Sequence, residues 1–311
     1  MRFFSVFTLY LISTVTSIKF GFQVPKSTPP HGLAYLKIGS ESCTGTIITK
    51  RHILTAAHCF KQYNWNKNIE VYLGLQGGMD LTSKNVQKIT VKNNQKNVKV
   101  HFSYRSGNRG LRQKMNSRTR LADIAVIRLP KNINFKKSGS KIVSIFLDAE
   151  SDRYNEGFKS KTDPDSRSHQ STNAIVSGFG LTSTNKVGFR KMRITTKSKN
   201  YCQNKAKSAN IKPDMLNIPD VFCGQGLKRS QICNGDSGGP IFVKNPRNGE
   251  LVQLGITVWA DENCDDEFNG FMKVDGYVRW LEKVVEQDGD VLRTVQKGRG
   301  MRMKMFDVFR S

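Results

Sequence analysis

The chain has 311 residues, of which 37% are hydrophobic and 9% aromatic, and its 50 Lys and Arg outnumber 25 Asp and Glu to give a net charge of +25. This apolar content excludes a wholly disordered basic tail, and the length fits one large or two small domains. The charge first suggests a polyanionic partner such as nucleic acid, a heparin-like polymer or a membrane surface, but solvated lysine-rich loops would give the same balance.

The N-terminus has the features of a secretory signal peptide. Arg2 precedes the apolar stretch Phe3–Ile12, and Val15 and Ser17 occupy the −3 and −1 positions of a cleavage site before Ile18. The apolar run is about half as long as a membrane span requires. We therefore expect a secreted, extracellular protein without a membrane span, in which all six cysteines are paired.

Short β-branched and apolar runs separated by turns predict strands from Leu33 onward. The runs are Cys43–Thr49, His52–Ala57, Ile69–Leu75, Asn97–Phe102, Asp123–Leu129, Ala174–Phe179 and Leu251–Trp259. Five later apolar residues at helical spacing predict one amphipathic helix. They are Tyr277, Trp280, Leu281, Val284 and Val285. Many strands and one closing helix favour an antiparallel sandwich or barrel over a βαβ fold.

Three segments stand outside this pattern. Ser103–Arg120 and Asp148–Thr172 are polar and are predicted to be surface insertions. Leu292–Ser311 combines basic residues with clustered apolar ones, which leaves open whether it docks on the body of the protein or on a partner.

Three short motifs contain the residue types of nucleophilic catalysis. They are Thr55-Ala56-Ala57-His58-Cys59, Asp123-Ile124-Ala125-Val126 and Gly235-Asp236-Ser237-Gly238-Gly239-Pro240. A lone histidine, or an aspartate that opens a strand, is more often structural. The hexapeptide around Ser237 is one of roughly 10⁸ possible hexamers, so chance explains it poorly. A serine hydroxyl needs an adjacent base, and imidazole can accept and return a proton near neutral pH.

On these motifs the chain resembles the chymotrypsin-type serine proteases, from Ile18 to the helix that ends near Gln287. The resemblance implies an all-β fold of two packed antiparallel β-barrels with a C-terminal α-helix and the active site in the cleft. We expect a signal peptide at 1–17, an N-terminal barrel at 18–143, a C-terminal barrel and helix at 144–288, and a basic tail at 289–311.

The resemblance also assigns roles to the motif residues. His58 would be the general base, Asp123 the buried carboxylate that holds its tautomer, and Ser237 the nucleophile. The backbone N–H groups of Gly235 and Ser237 would form an oxyanion hole. No cofactor is expected. A zinc site is disfavoured, because the chain lacks paired Cys-x-x-Cys spacing with nearby histidines.

Spacing alone does not decide how six cysteines pair. The resemblance implies a bond beside His58, a second bond within the C-terminal half and a third across the substrate pocket. The implied pairs are Cys43–Cys59, Cys202–Cys223 and Cys233–Cys264.

The resemblance also predicts how processing creates the mature N-terminus. Family members usually free an N-terminal Ile, whose ammonium pairs with the Asp before the catalytic Ser. No basic activation site precedes Ile18, which stands 25 residues before Cys43, close to the interval in the family. We expect signal peptidase to expose Ile18 for pairing with Asp236, without a true zymogen stage. Lys19 and Phe20 depart from the small or β-branched residues usual at their positions.

The resemblance places Gln231 and Ile232 at the base of the primary specificity pocket. Its wall would be Val258, Trp259 and Ala260. The base lacks the carboxylate that a trypsin-like enzyme pairs with Arg or Lys, and the bulk of Ile232 and Ala260 narrows the pocket. We therefore expect a neutral, small-to-medium or polar residue before the scissile bond. Val258 replaces a Ser whose hydroxyl commonly bonds the catalytic Asp, which predicts lower activity.

Five acids surround Cys264 at the expected mouth of the pocket. They are Asp261, Glu262, Asp265, Asp266 and Glu267. Two interpretations stay open, a solvated loop that balances nearby lysines and a surface that attracts basic substrate residues.

The sequence thus predicts a secreted monomeric serine endopeptidase that cleaves protein or peptide substrates through an acyl-enzyme. The alternative is a catalytically weak cationic homologue that binds polyanions or surfaces, but such relatives generally lack a triad residue. Thr82–Leu121 and Thr182–Lys212 contain basic residues and no acid, so with the tail they would bind a heparin-like polyanion. A protein inhibitor is a further candidate partner, and nucleic acid is not expected.

Overall fold

The computed structural model describes residues 21–25, 32–60, 67–77, 79–104, 122–147, 173–182, 187–197, 199–208, 220–227, 230–245, 248–259, 264 and 268–296. The predicted signal peptide, nearly all of the first insertion, the whole second insertion and the tail after Gln296 lie outside these residues.

The described elements are mostly short strands. In chain order they are β1 (Phe22–Gln23), β2 (Leu33–Ile38), β3 (Glu41–Ile47), β4 (His52–Thr55), β5 (Ile69–Leu73), β6 (Gln87–Val91), β7 (Val98–Val100), β8 (Ala125–Arg128), α1 (Phe135–Ser138), β9 (Ser144–Leu147), β10 (Asn173–Gly178), β11 (Arg190–Thr196), α2 (Lys199–Ser208), β12 (Val221–Gly226), β13 (Pro240–Lys244), β14 (Leu251–Trp259), β15 (Phe268–Lys273), α3 (Val278–Glu286) and β16 (Thr294–Gln296). The helix α2 was not predicted. Its weak amphipathicity explains this, since the segment is mainly lysine and polar residues.

Seven strands form the first sheet, in the order β6-β5-β2-β3-β4-β8-β7. All neighbouring strands in it are antiparallel. Along β6, buried residues alternate with exposed ones, as expected of a strand with one face on a core. The register pairs Thr55 at the end of β4 with Ala125 at the start of β8, which brings together two of the sequence motifs.

Nine strands form the second sheet, in the order β13-β10-β11-β12-β15-β14-β9-β16, with β1 paired to β11. An additional β13–β14 pairing closes six of these strands into a ring. The predicted fold of two β-barrels with a C-terminal helix is confirmed. It has one local departure, because β9 pairs in parallel with both β14 and β16.

An aromatic layer joins the two sheets. The ring of Tyr35, on β2, meets that of Phe179, which directly follows β10, edge-on at 5.8 Å. Phe179 in turn lies 5.2 Å from Phe189. Both phenylalanines are fully buried, so the two sheets share a buried aromatic contact.

The predicted closing helix is α3, which buries Val278, Leu281, Val284 and Val285. The first residue of the predicted stripe, Tyr277, instead ends a 3₁₀ turn that precedes α3.

The segment after α3 docks on the body of the protein through buried polar groups. Arg128 Nε lies 2.6 Å from the Asp288 carboxylate, and His52 Nε2 lies 2.9 Å from the same carboxylate. The Thr49 hydroxyl donates to Asp290 at 2.7 Å, and His52 is completely buried. With β16 added to β9, the start of the predicted tail lies on the body.

Candidate active site

His58 and Asp123 meet at the adjoining ends of β4 and β8, which are neighbouring strands inside the first sheet. His58 lies in the 3₁₀ turn Ala57–Phe60 that follows β4, and Asp123 lies two residues before β8. The backbone N–H of His58 donates to Asp123 Oδ1 at 2.8 Å, and His58 Nδ1 lies 2.7 Å from Oδ2. Two contacts to one carboxylate fix the imidazole orientation. With Nδ1–H as donor, Nε2 is the ring nitrogen that can act as a base.

Ser237 lies in a tight loop between Cys233 and β13. Its carbonyl accepts a hydrogen bond from the Thr44 N–H at 2.9 Å. The next residue, Gly238, has φ +79°, and a Cβ there would lie 2.0 Å from the Thr55 hydroxyl. Only glycine permits this approach. The loop therefore packs on the end of β4, three residues before His58.

Two consecutive backbone N–H groups, of Gly180 and Leu181, hold the loop directly from the other side, and the preceding Phe179 N–H binds Thr44, which itself contacts the loop. Phe179 N–H donates to the Thr44 hydroxyl at 2.9 Å, Gly180 N–H donates to Asp236 Oδ1 at 2.8 Å, and Leu181 N–H donates to the Asn234 carbonyl at 2.7 Å. The segment Phe179–Leu181 therefore helps to position the loop that carries Ser237.

The Leu181 contact determines where the Gly235 N–H points. A peptide bond is planar and trans, so this N–H points opposite to the Asn234 carbonyl, away from Leu181. Among the described residues, neither Gly235 N–H nor Ser237 N–H donates to a backbone carbonyl. Neither predicted oxyanion donor is therefore taken up by a backbone acceptor among the described residues.

Asp236 is completely buried. Burial raises its pKa to about 7, although the N–H groups of Cys233 and Gly180 both donate to its carboxylate. A buried carboxylate of this kind requires a positive partner to stay ionised. Ile18, the predicted partner, lies outside the described residues, which start with the buried Gly21 and the strand β1.

The predicted pocket residues lie close to the third disulfide. Gln231 is 3% exposed, and its Nε2 donates to the Cys264 carbonyl, while its Oε1 has no hydrogen-bond partner among the described residues. Ile232 is buried, and its N–H donates to Asn269 at 2.8 Å. Val258 is also buried. The two residues predicted to form the base are therefore buried and uncharged. Ala260 and the five acids around Cys264 lie outside the described residues.

The six cysteines form three disulfides. The pairs are Cys43–Cys59, Cys202–Cys223 and Cys233–Cys264. The first joins β3 to the turn that carries His58, and the third joins the start of the loop that carries Ser237 to the segment before β15. Two of the three disulfides therefore brace the candidate site.

Sequence reasoning missed two parts of this site, the Thr44 hydroxyl and the segment Phe179–Leu181. Thr44 directly follows a cysteine predicted to be paired, which was its only signal. Where the chain is described, no helix is long and apolar enough to cross a membrane, and no group of three or more His, Cys, Asp or Glu could hold a metal ion.

Comparison with known sequences gives one family. A sequence profile described as Trypsin matches residues 22–281. Venom serine protease 34 of Apis mellifera is 30% identical over 240 residues, which are 77% of this chain and 51% of that protein. A chymotrypsin of Phaedon cochleariae is 27% identical over 270 residues, 83% and 78% of the two chains. CLIP domain-containing serine protease C9 of Anopheles gambiae is 26% identical over 293 residues, which are 88% of this chain and 69% of that protein. The chain thus spans about half of the Apis relative.

Solved structures share the fold. Neuropsin, a serine protease expressed in the limbic system of mouse brain, superposes with a TM-score of 0.58 at 23% identity, covering 86% of this chain and 99% of neuropsin. An inactivated protease paralogue of the scabies mite gives a TM-score of 0.58 at 18% identity, with coverage of 84% and 96%. Because one of these proteins is described as inactivated, the fold alone does not establish activity.

Proposed function

Because the chain belongs to the trypsin family of serine proteases, we propose that it is a secreted serine endopeptidase in which Ser237, His58 and Asp123 form the catalytic triad. One observation carries the proposal. The His58–Asp123 pair at 2.7 Å lies beside the Ser237 loop, which is packed on the end of β4 and hydrogen-bonded to Thr44.

The proposed reaction has two halves. Ser237 Oγ attacks the scissile carbonyl carbon while His58 Nε2 takes the hydroxyl proton. His58 then gives this proton to the leaving amine, so that the C–N bond breaks and an acyl-enzyme ester remains. Water, deprotonated by His58, hydrolyses the ester and regenerates the serine. Asp123 keeps the proton on Nδ1 and stabilises the imidazolium.

The oxyanion of each tetrahedral intermediate is bound by the N–H groups of Gly235 and Ser237. Donors that are already oriented stabilise developing charge without reorganisation, and losing one such donor typically costs about 10²–10³ in rate. The contacts of the segment Phe179–Leu181 support this role, because they orient the peptide before Gly235.

The alternative, a catalytically weak binding protein, receives no support from the comparisons. All three side chains of the triad are present, and the buried loop around Asp236 has the glycines that its close contacts require.

Labelling with a fluorophosphonate probe tests the endopeptidase proposal. The secreted wild-type protein should react at Ser237 and cleave a protein substrate, and Ser237→Ala should do neither. Ser177→Ala is a matched control, since Ser177 is a buried serine on β10. If the folded wild type is not labelled, the proposal is wrong.

Maturation through Ile18 remains part of the proposal. The burial of Asp236, which raises the pKa of its carboxyl to about 7, supports it, because a nearby ammonium would stabilise the charged carboxylate. Edman sequencing of the secreted protein should start at Ile18. A different first residue would refute direct exposure by signal peptidase.

The proposed substrate has a neutral residue before the scissile bond. The support is the uncharged base formed by Gln231 and Ile232. Cleavage of a peptide library should show a small-to-medium or polar residue at this subsite. A preference for Arg or Lys there would contradict the proposed pocket, whereas a basic preference only at other subsites would indicate attraction by the acids around Cys264.

Binding of a heparin-like polyanion is also proposed. Lys191 and Arg193 are two residues apart on β11, and Lys197 follows four residues after Arg193, directly past the end of the strand. Even intervals place all three on one face of β11 and its extension. Burial lowers the pKa of Lys191 and of Arg193, so a bound anion would stabilise both cations.

A heparin column tests this surface. The wild type should elute at higher salt from heparin than from a cation exchanger of similar charge, and the Lys191→Gln/Lys197→Gln variant should lose that difference. Lys131→Gln/Lys136→Gln removes equal charge from exposed positions elsewhere and should keep it. If both variants elute from heparin at the same salt concentration, Lys191 and Lys197 do not form a specific polyanion site.

A further inference from the structure

Thr44 connects the two halves of the candidate active site. It is completely buried on β3. Its hydroxyl donates to the Gly235 carbonyl at 2.9 Å and accepts from the Phe179 N–H at 2.9 Å. Its backbone N–H donates to the Ser237 carbonyl at 2.9 Å, and its carbonyl accepts from the Thr55 hydroxyl at 2.8 Å.

The side chain makes a connection that the backbone alone does not. The two backbone contacts of Thr44 are available to any residue at this position. The hydroxyl links the Gly235 carbonyl on one side to the Phe179 N–H on the other, so a substitution that removes it leaves a buried acceptor and a buried donor unpaired.

Gly235 needs this support because its conformation is unusual. It has φ +99°, a region that glycine enters easily and from which it can also move easily. The Leu181 N–H holds the peptide before Gly235 through the Asn234 carbonyl. The Thr44 hydroxyl holds the peptide after it. Both peptide planes that flank Gly235 are therefore tied to the segment Phe179–Leu181, one directly and one through Thr44.

We propose that the Thr44 hydroxyl is a positioning group for the oxyanion hole, which acts by keeping the Gly235 N–H aimed at the substrate oxygen. The inference rests on the proposed endopeptidase function and adds a residue on the opposite barrel to its machinery. Thr44 touches no reacting atom through its hydroxyl, and its effect on catalysis passes through Gly235.

Thr44→Val is the primary test, because valine has nearly the same shape and lacks only the hydroxyl. Complete loss of an oxyanion donor costs about 10²–10³ in kcat, so partial misalignment should lower kcat by roughly 10- to 100-fold. KM should change by less than about threefold, since the oxyanion exists only in the transition state. Thr44→Ser keeps the hydroxyl and should restore kcat to within about threefold of the wild type.

Thr46→Val is the matched control. Thr46 lies two residues further along β3, hence on the same face, and is also completely buried. Its hydroxyl has no hydrogen-bond partner in the part of the chain that the structure describes. The same change of side chain there should leave kcat within about twofold of the wild type.

A second measurement uses a peptidyl boronate, whose tetrahedral adduct with Ser237 places an oxygen in the oxyanion hole. Thr44→Val should weaken its inhibition by about the factor lost from kcat, and Thr46→Val should not. All variants are compared as full-length secreted protein, with thermal unfolding recorded for each.

Each outcome is decisive. If the wild type is active but Thr44→Val retains the kcat and boronate affinity of Thr46→Val, the positioning role is wrong while the proposed function stands. If Thr44→Val cannot be recovered folded although Thr46→Val can, or if Thr44→Ser fails to restore kcat, the hydroxyl has a structural role and the inference is overturned. If the wild type itself is not labelled at Ser237, the proposed function fails and this inference fails with it.

Discussion

Replacing Asp288 by alanine should lower the free energy of unfolding at pH 7 by about 3 kcal/mol. The Asp288 carboxylate is 8% exposed and lies 2.6 Å from Arg128 Nε, whose side chain is 29% exposed. It also lies 2.9 Å from Nε2 of the fully buried His52. Removing one partner of a buried ion pair costs about 3–5 kcal/mol, and the partial exposure of Arg128 places this case at the lower end. Such a loss is a large part of the stability of a typical domain.

The effect should depend on pH in a defined direction. Hydrogen bonding to Arg128 lowers the pKa of Asp288 below its ordinary value. A carboxyl whose folded pKa is lowered contributes stability that is fully present above its unfolded pKa, near 4, and is lost as the pH falls through the folded pKa. The difference between the wild type and Asp288→Ala should therefore be largest at pH 7 and 5 and shrink at about pH 3.5.

Urea unfolding followed by tryptophan fluorescence at these pH values measures both quantities. Glu286→Ala is the matched control, because it removes an equal charge two residues away from an exposed position and should change stability by less than about 0.5 kcal/mol. If Asp288→Ala loses less than about 1 kcal/mol at pH 7, or no more than Glu286→Ala, the buried ion pair does not anchor the C-terminal segment.

Three further predictions concern the candidate site. Asp123→Asn should lower kcat by about 10⁴ in steady-state assays, because an amide favours the wrong histidine tautomer; a loss below tenfold would argue against its role. Gly238→Ala should cost more than about 2 kcal/mol in urea unfolding, because its Cβ would lie 2.0 Å from the Thr55 hydroxyl. Gly249→Ala, at φ +72° with no atom of the described residues within 4 Å of the added Cβ, should cost only the backbone strain of about 1–2 kcal/mol, and equal losses would contradict the packing argument. kcat/KM should rise from about pH 5 to 8 as His58 loses its proton, and a flat profile would argue against His58 as the base.

The all-β class could be predicted from sequence because strand and helix signals are local, whereas the arrangement in two barrels was implied by the resemblance to the protease family. The alternating and β-branched runs predicted β3, β4 and β8 to within a few residues, and the apolar stripe predicted α3. Strand ends were less accurate. The predicted run His52–Ala57 ends as a strand at Thr55, because the chain turns there to place His58 opposite Asp123. The parallel pairing of β9 with β16 had no local signal, since it depends on a contact between residues about 150 positions apart in sequence.

The residues of the candidate triad and the uncharged pocket base could be named from sequence, since rare motifs in a fixed order carry chemical information without coordinates. The roles of Thr44, Leu181 and the polar contacts of Asp288 could not be predicted in this way. A buried threonine on a strand has the same local pattern whether its hydroxyl is bonded, as in Thr44, or lacks a partner among the described residues, as in Thr46.

The apolar content excluded a wholly disordered protein, the charge of +25 suggested a polyanionic partner, and the motifs indicated the family. Tertiary structure alone decided which groups act together, because hydrogen bonds such as that from Thr44 to Gly235, separated by 191 positions, form only when the two barrels pack. The partners in such bonds are set by how the two barrels pack against each other, and that information is absent from any short stretch of the chain.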